Sequence, residues 1–288
     1  MESENLVSVR VWGDFACFTR PEMKVERVSY PVMTPSAARG ILEAIFWEPQ
    51  MHYWIDAVRV VKKGGWMSFR RNEVTAKLSL DSAQTWMKAP EKVSPIQAGG
   101  GAADGTQRNM LALRDVEYII TAQVFLTELG EKAGQNTRKY VEEIKRRAAQ
   151  GKCFHRPALG MREFAADFDH EPDPQAALER RAAEQGKNWR TLWPDEDLGL
   201  MLYDVFSFAE QQHGFRWLCE GTHAQVSPAA LPSVETLAGK KKRVVPTPRY
   251  EGVALKPRAY FFHAKIENSR LNCHPDRVRF VREPGEEV

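Results

Sequence analysis

Twice in the amino-terminal half, the spacing of apolar residues switches from a period of two to a period of 3.6 and back. That double switch constrains the fold more than any other feature. Val7, Val9 and Val11 alternate with Ser8, Arg10 and Trp12, the pattern of a strand with one buried face. Thr34 then offers a helix N-cap and Pro35 a pre-set first helical residue. Ala38, Ile41, Leu42, Ile45 and Phe46 recur at helical spacing, and Pro49 stops the run. An extended stretch from Tyr53 to Val61 follows. Gly64-Gly65 predicts a hairpin turn into a second extended run, Trp66–Ala76. Val116, Tyr118, Ile120, Ala122 and Val124 form one face of a long strand. A helix is predicted over Asn136–Gln150, with Tyr140, Val141, Ile144 and Ala148 inward and Gly151 just past its end. A strand around Leu159–Phe168 completes the order strand–helix–strand, strand–helix–strand. That is the split βαβ of ferredoxin-like, RRM-like α+β folds.

The remainder divides by composition. About Asp81–Thr106 lacks periodicity and holds Gly99-Gly100-Gly101, which predicts a long thumb-like loop over about 80–108. Residues 166–200 carry nine acids against four bases and three prolines, the composition of an acidic insertion. Residues 201–288 read as a smaller β-rich carboxy-terminal part, in which Tyr260, Phe262, Ala264 and Ile266 alternate with Phe261, His263 and Lys265. The ferredoxin-like domain is thus expected over 1–165. Lys240-Lys241-Lys242-Arg243 reads as a solvated loop.

Net charge is only +3, but it is segregated. Arg20–Arg71 holds nine bases against five acids, and Gly239–Arg270 nine against two, the distribution of a face built for a polyanion. Every apolar run is broken by a charge before it reaches membrane-spanning length. The acidic Met1–Leu6 has none of the features of a secretory leader. Cys17, Cys153, Cys219 and Cys273 stand far apart without a CxxC pair. This fits reduced thiols in the cytoplasm and implies neither a disulfide framework nor a metal. No Walker loop, GxSxG elbow or HExxH helix is present, and no cofactor is expected.

Six stretches in order carry a resemblance: RVWGDFACFTRP at Arg10–Pro21, VSYPV at Val28–Val32, TPSAARGILEAI at Thr34–Ile45, RRNEV at Arg70–Val74, LRDV at Leu113–Val116 and LGMREF at Leu159–Phe164. Together they resemble the guide-handle-binding and processing subunit of type I-C (Dvulg subtype) CRISPR interference complexes, known as Cascade. The match is close over residues 7 to about 165 and loose beyond. The resemblance implies a subunit that holds the 5′ handle of the CRISPR RNA and caps a filament of repeated backbone subunits. It also implies contact with the large subunit and, through the assembly, with target DNA. It further implies that the same protein cuts precursor RNA in antiviral defence, as a metal-independent endoribonuclease. A third possibility is an assembly subunit without direct RNA contacts.

Candidate RNA ligands follow from residue chemistry. Arg and Lys hold phosphates, Asn reads base edges, and aromatic rings stack on bases. Arg20, Lys24 and Arg27 lie in the loop after the first strand, and Arg39 lies one turn into the first helix. Arg70, Arg71 and Asn72 end an extended run, and Arg108, Asn109 and Arg114 enter the next one. Phe46 and Trp47 close the first helix, while Trp12 and Trp66 are further possible stacking rings. The competing reading pairs these arginines with Glu22, Glu26, Glu43 and Glu73. For cleavage, processing members that the chain resembles place a tyrosine near the end of the first helix and a lysine and histidine on the long strand. Phe46 and Gln123 stand where the tyrosine and histidine are expected, and Gln123 cannot take a proton at neutral pH. Lys152, His155 and Arg156 are possible substitutes.

Overall fold

The computed structural model describes residues 5–76, 78–97, 99, 101–205, 233–236, 242–245 and 259–281. Twelve strands occur among them: β1 (Leu6–Ala16), β2 (Arg27–Val28), β3 (Met51–Lys62), β4 (Gly65–Val74), β5 (Gly105–Leu126), β6 (Asp167–His170), β7 (Glu196–Asp204), β8 (Ser233–Thr236), β9 (Lys242–Val245), β10 (Tyr260–Glu267), β11 (Arg270–Asn272) and β12 (Arg279–Phe280). Five helices accompany them: α1 (Pro35–Ile45), α2 (Leu80–Lys88), α3 (Glu128–Lys132), α4 (Thr137–Ala149) and α5 (Pro174–Glu184). Ten strands form one sheet whose main path runs β12-β10-β11-β3-β5-β1-β6, with β2 and β4 on β5 and β7 on β10. Every pairing but the short β2–β5 one is antiparallel. The protein is therefore a mixed α/β fold around a large antiparallel sheet. Among the described residues no helix is long and apolar enough to cross a membrane.

The first helix forms as its sequence dictates. Thr34 accepts a hydrogen bond from the Ala37 amide at 3.1 Å, and Ala38, Ile41, Leu42 and Ile45 turn inward. The chain leaves the helix extended at Phe46, whose carbonyl accepts from the Tyr53 hydroxyl at 2.7 Å. In α4 the Asn136 side chain caps the start. Gly151 at φ +64° closes the end in a Schellman motif, its amide reaching the Ala148 carbonyl and that of Lys152 the Arg147 carbonyl. Both helices pack on one sheet face, against Val116, Tyr118, Ile120, Ala122 and Val124 of β5 and the inward residues of β1 and β3. The same core takes in Met201, Tyr203, Phe262, Ala264, Ile266 and Leu271, so it crosses the composition boundaries near 165 and 200.

The hairpin expected at Gly64-Gly65 does not form. β3 and β4 lie end to end along one flank of β5: β3 pairs with Glu117–Leu126 and β4 with Gly105–Arg114. β1 and β2 line the other flank. The change of partner occurs at Asp115, in the left-handed region at φ +51°, whose carboxylate pairs with Lys62 at 2.9 Å. Gly64, at φ +76°, passes so close that a Cβ there would lie 2.5 Å from the Arg114 carbonyl oxygen.

Two further expectations change. Part of the expected loop is α2, capped by Ser79 and burying no residue, so it carries no core-facing stripe for a periodicity reading to find. The last strand is not Leu159–Phe168. Residues 159–164 make a tight turn docked on β1, with the Leu159 amide bonding the Phe164 carbonyl at 2.7 Å and the Cys17 amide bonding the Leu159 carbonyl at 3.0 Å. Gly160 at φ +85° permits this approach, since a Cβ would meet the Cys17 carbonyl oxygen at 2.0 Å. The strand itself is β6, inside the acidic stretch, paired with β1. Lys242 and Arg243 belong to β9, whereas Lys240, Lys241, Gly100 and Cys219 lie outside the described residues.

Arg39 ties α1 to β7. It donates twice to Asp204, at 2.7 and 2.9 Å, and once to Glu43 at 2.6 Å, in a site where Asp204 is 2% exposed. Removing one member of a buried pair leaves the other charge without compensation. Asp204→Ala is therefore expected to lower unfolding free energy by about 3–5 kcal/mol in urea titration. A second expectation concerns pH. Burial lowers the His52 pKa to about 4 from 6.5, so the native state holds it neutral. On acidification from pH 6.5 towards 4 the unfolded chain takes up this proton and the native state does not. Stability should fall in that window by up to about 3 kcal/mol, and a His52→Gln variant should lose this part of the pH dependence.

Candidate nucleic-acid interface

Beyond Asp115, β4, the first half of β5 and β2 form a ribbon that leaves the main sheet. Alternation puts its side chains on two faces. Arg70 lies opposite Asn109 and Asn72 opposite Gln107; all four are on the exposed face. Arg71 lies opposite Arg108 on the other face, beyond a small core of Cys17, Met110 and Ala112. The sequence-predicted ligands are thus brought to one ribbon but divided between its sides.

Their pairing separates them further. Arg27 bonds Glu73 at 2.8 Å, Arg71 bonds Glu163 at 2.8 Å, and Arg108 lies 3.5 Å from Glu26. Arg20 sits 3.8 Å from Glu22 with its guanidinium over the Tyr30 ring. Such surface pairs contribute only about 0–1 kcal/mol each, so a phosphate can replace the carboxylate at little loss. Lys24, Arg70 and Arg114 are exposed, with no carboxylate within 4 Å among the described residues.

Three expected ligands are engaged by the fold itself. Arg39 is 9% exposed and fully engaged by Asp204 and Glu43. Burial opposes its charge, but the two carboxylates outweigh that and hold its pKa raised. It is a structural cation, and its place on the helix did not reveal this because its main partner lies far along the chain. Phe46 is 2% exposed, stacked on Tyr140 at 6.3 Å and against Phe154 at 5.9 Å. Trp47 packs half-buried against the main core. Phe46 therefore has no ring face open to a base. Of the other tryptophans, Trp12 lies under the Arg10 guanidinium at 3.9 Å and Trp66 is 49% exposed.

The two positions at issue for cleavage do not meet. Phe46 lies in the core on the helix-covered face. Gln123 alternates with Ala122 and Val124, so it points to the opposite face, beside Trp54.

A groove of about 800 Å³ opens instead over the outer side of α1. Ser36, Gly40 and Glu43 form its floor, and His155, Arg156 and Arg162 its wall. The wall is fixed because the Phe154 and His155 amides both donate to the Ala44 carbonyl, at 2.9 and 3.0 Å. A Cβ at Gly40 would meet nothing within 4 Å, which leaves room for close approach. Arg156 has one distant partner, Asp167 at 3.8 Å. Lys152 is exposed nearby along the chain but does not line the groove. Burial pushes the Cys17 thiol up, so it supplies no thiolate here. Sequence reasoning passed over Arg162 although it lies inside the LGMREF motif; nothing local showed that its loop folds back to face His155. No set of three or more His, Cys, Asp or Glu able to hold a metal occurs among the described residues.

A large antiparallel sheet carrying a donor-rich ribbon and a groove with basic side chains on its wall has the surface features of the polyanion-binding class. The family model described as CRISPR-associated protein (Cas_Cas5), of the Cas5d type, matches residues 6–221. A protein of Mannheimia succiniciproducens named CRISPR pre-crRNA endoribonuclease Cas5d is 42% identical over 219 residues, covering 74% of this chain and 90% of its own. A Thermus thermophilus protein of the same name is 39% identical over 199 residues, covering 69% of this chain and 72% of its own. A solved structure titled as a CRISPR-associated protein shares the fold, with a TM-score of 0.50 at 18% identity over 93% of this chain and 90% of that one. The chain belongs to the Cas5d family, the type I-C Cas5 proteins that the motifs between Arg10 and Phe164 resemble.

The Phe46 slot yields a prediction. A hydroxyl there has no solvent and requires a partner, so Phe46→Tyr should cost about 1–3 kcal/mol of stability. It should create no RNA cleavage, because Gln123 is on the other side of the sheet. Thermal unfolding and a repeat-RNA cleavage assay check both.

Proposed function

We propose that this protein holds the 5′ handle of the CRISPR RNA in a type I-C interference complex. It would cap the filament of repeated backbone subunits and meet the large subunit and, through the assembly, target DNA, in a cytoplasmic ribonucleoprotein. The observation that carries this reading is the exposed row of Arg70, Asn72, Gln107 and Asn109 on the β4–β5 ribbon of a Cas5d-family chain, with Arg114 exposed on the ribbon's other face. Arg and Asn side by side can hold phosphate and read base edges. Arg20, Arg27, Arg71 and Arg108 can exchange their carboxylates for phosphates, and Lys24 adds an exposed cation. The strand order β3-β5-β1-β6, with α1 and α4 on one face, supports the ferredoxin-like reading of this half. The carboxy-terminal strands then extend that sheet.

A second reading, endoribonuclease, is favoured by the groove over α1 and by the names of the two relatives. In this reading His155 takes the proton of a 2′-hydroxyl whose oxygen attacks the adjacent phosphorus. The 5′-oxygen leaves with a proton from solvent water, a 2′,3′-cyclic phosphate forms, and Arg156 and Arg162 offset the charge on the phosphorane.

One experiment separates the readings: labelled repeat RNA incubated with purified protein and EDTA. An intact, shifted band supports the holder, and a product ending in cyclic phosphate supports the enzyme. Absence of a shift defeats both and leaves an assembly role. Arg70→Glu with Arg114→Glu should weaken handle binding at least about tenfold and flatten the salt slope by roughly 1.4, about 0.7 per phosphate contact. His155→Ala should abolish any cleavage and leave affinity unchanged.

A further inference from the structure

The sheet face opposite α1 and α4 is covered only in part. α5 and the turn after it seal Val61 and Ile119 with Ala177, Leu178, Trp189 and Leu192. Beyond that seal lies a cleft of about 690 Å³, lined by Arg59, Lys265, Arg270, Arg277 and Arg279. Asp197 and Glu267 are the acids that line it.

The register shows how unusual this grouping is. Arg59 and Arg270 are direct cross-strand partners on β3 and β11, and His263 and Arg279 are direct partners on β10 and β12. The Arg59–Arg270 pair puts like charges directly opposite, which destabilises a sheet. Opposite charges also meet in the register, Glu267 across from Arg270 and Asp197 across from Lys265, but neither carboxylate comes within 4 Å of its partner among the described residues. Asp56 alone serves both Arg270, at 3.0 Å, and Arg277, at 3.4 Å. Arg59 reaches only the Thr121 hydroxyl, at 2.8 Å, and its pKa is lowered, first by burial and then by Arg270. Lys265 and Arg279 are exposed with no carboxylate within 4 Å among the described residues. Arg270 Nε and Asn272 Oδ1 are buried without a hydrogen-bond partner. Five basic side chains thus line the cleft against two acids, and Asp56 offsets two of the five. A polyanion supplies the missing charge.

The arrangement is extended. Cations on β10, β11 and β3 spread over three neighbouring strands, about 10 Å, further than one phosphate reaches. Trp189 lines the wall half-buried, with the Arg190 guanidinium 4.5 Å over its ring. We propose that this cleft is a second nucleic-acid site, on the opposite side of the sheet from α1, which takes a short segment of single-stranded nucleic acid by its phosphates. It is separate from the β4–β5 ribbon and does not depend on the handle reading.

The test uses full-length protein carrying Lys265→Glu and Arg279→Glu, two surface changes whose folding is checked by thermal unfolding. Fluorescence anisotropy would follow labelled oligo-uridine and oligo-thymidine across a salt series. The double variant should bind both at least about tenfold more weakly, with a salt slope smaller by roughly 1.4. Equal losses for the two probes assign the site to phosphate, and a loss confined to oligo-uridine assigns it to RNA through the 2′-hydroxyl. Unchanged affinity and slope overturn the cleft site. So does intact oligonucleotide binding combined with failed assembly with the other subunits, which would make the cleft a dock for an acidic protein surface. The handle reading is judged separately, by repeat RNA and the Arg70→Glu, Arg114→Glu variant.

Discussion

Both flanks of β5 are occupied along most of its 22 residues, and the rest of the molecule is arranged around that strand. Its second half is the middle of the main sheet, where β1 and β3 satisfy its backbone and the two helices cover one face. Its first half pairs with β4 and β2 and carries the donors proposed for RNA. One strand thus joins a packed core to a thin ribbon. The left-handed residue Asp115 marks where one becomes the other, with Gly64 allowing β4 to follow. Because the strand is continuous, the position of the ribbon's donors is set by the core.

Arginine serves three purposes here, and local sequence does not tell them apart. Arg39 is a buried tie between α1 and β7. Arg27, Arg71 and Arg108 hold surface carboxylates whose loss costs little. Arg70 and Arg114 face solvent without such partners. The difference lies in what each meets across the fold. Asp204 is far from Arg39 along the chain, and Glu163 reaches Arg71 only because the loop after α4 folds back on β1. The pairings of Arg20 with Glu22, Arg27 with Glu73, Arg39 with Glu43 and Arg108 with Glu26 follow the competing sequence reading closely. For the surface pairs this is compatible with phosphate binding, since exposed ion pairs exchange. For Arg39 it is not.

Features resting on local physics were legible. Thr34 and Pro35 start α1, Asn136 and Gly151 bound α4, and the alternation of β1, β5 and β10 orients those strands as expected. The family was legible too, because six short motifs keep their order. Features resting on distant partners were not. The Gly64-Gly65 turn looked like a hairpin because two glycines between apolar runs usually make one, and only the length of β5 shows that both runs are already paired. Residues 159–164 alternate like a strand, but Gly160 turns them. The carboxy-terminal cleft was foreshadowed only as excess positive charge, without Arg59, which joins it from a strand two hundred residues earlier in the chain.

The sequence by itself determined the helices with written ends, the alternating faces of the strands, the excess of basic residues and the family. These depend on neighbours within a few residues, or on residue identity. Tertiary structure alone decided which strands share a flank of β5, which arginines are buried, and that Phe46 and Gln123 face away from each other. Those outcomes depend on pairings between residues far apart in the chain, whose energies have no local trace.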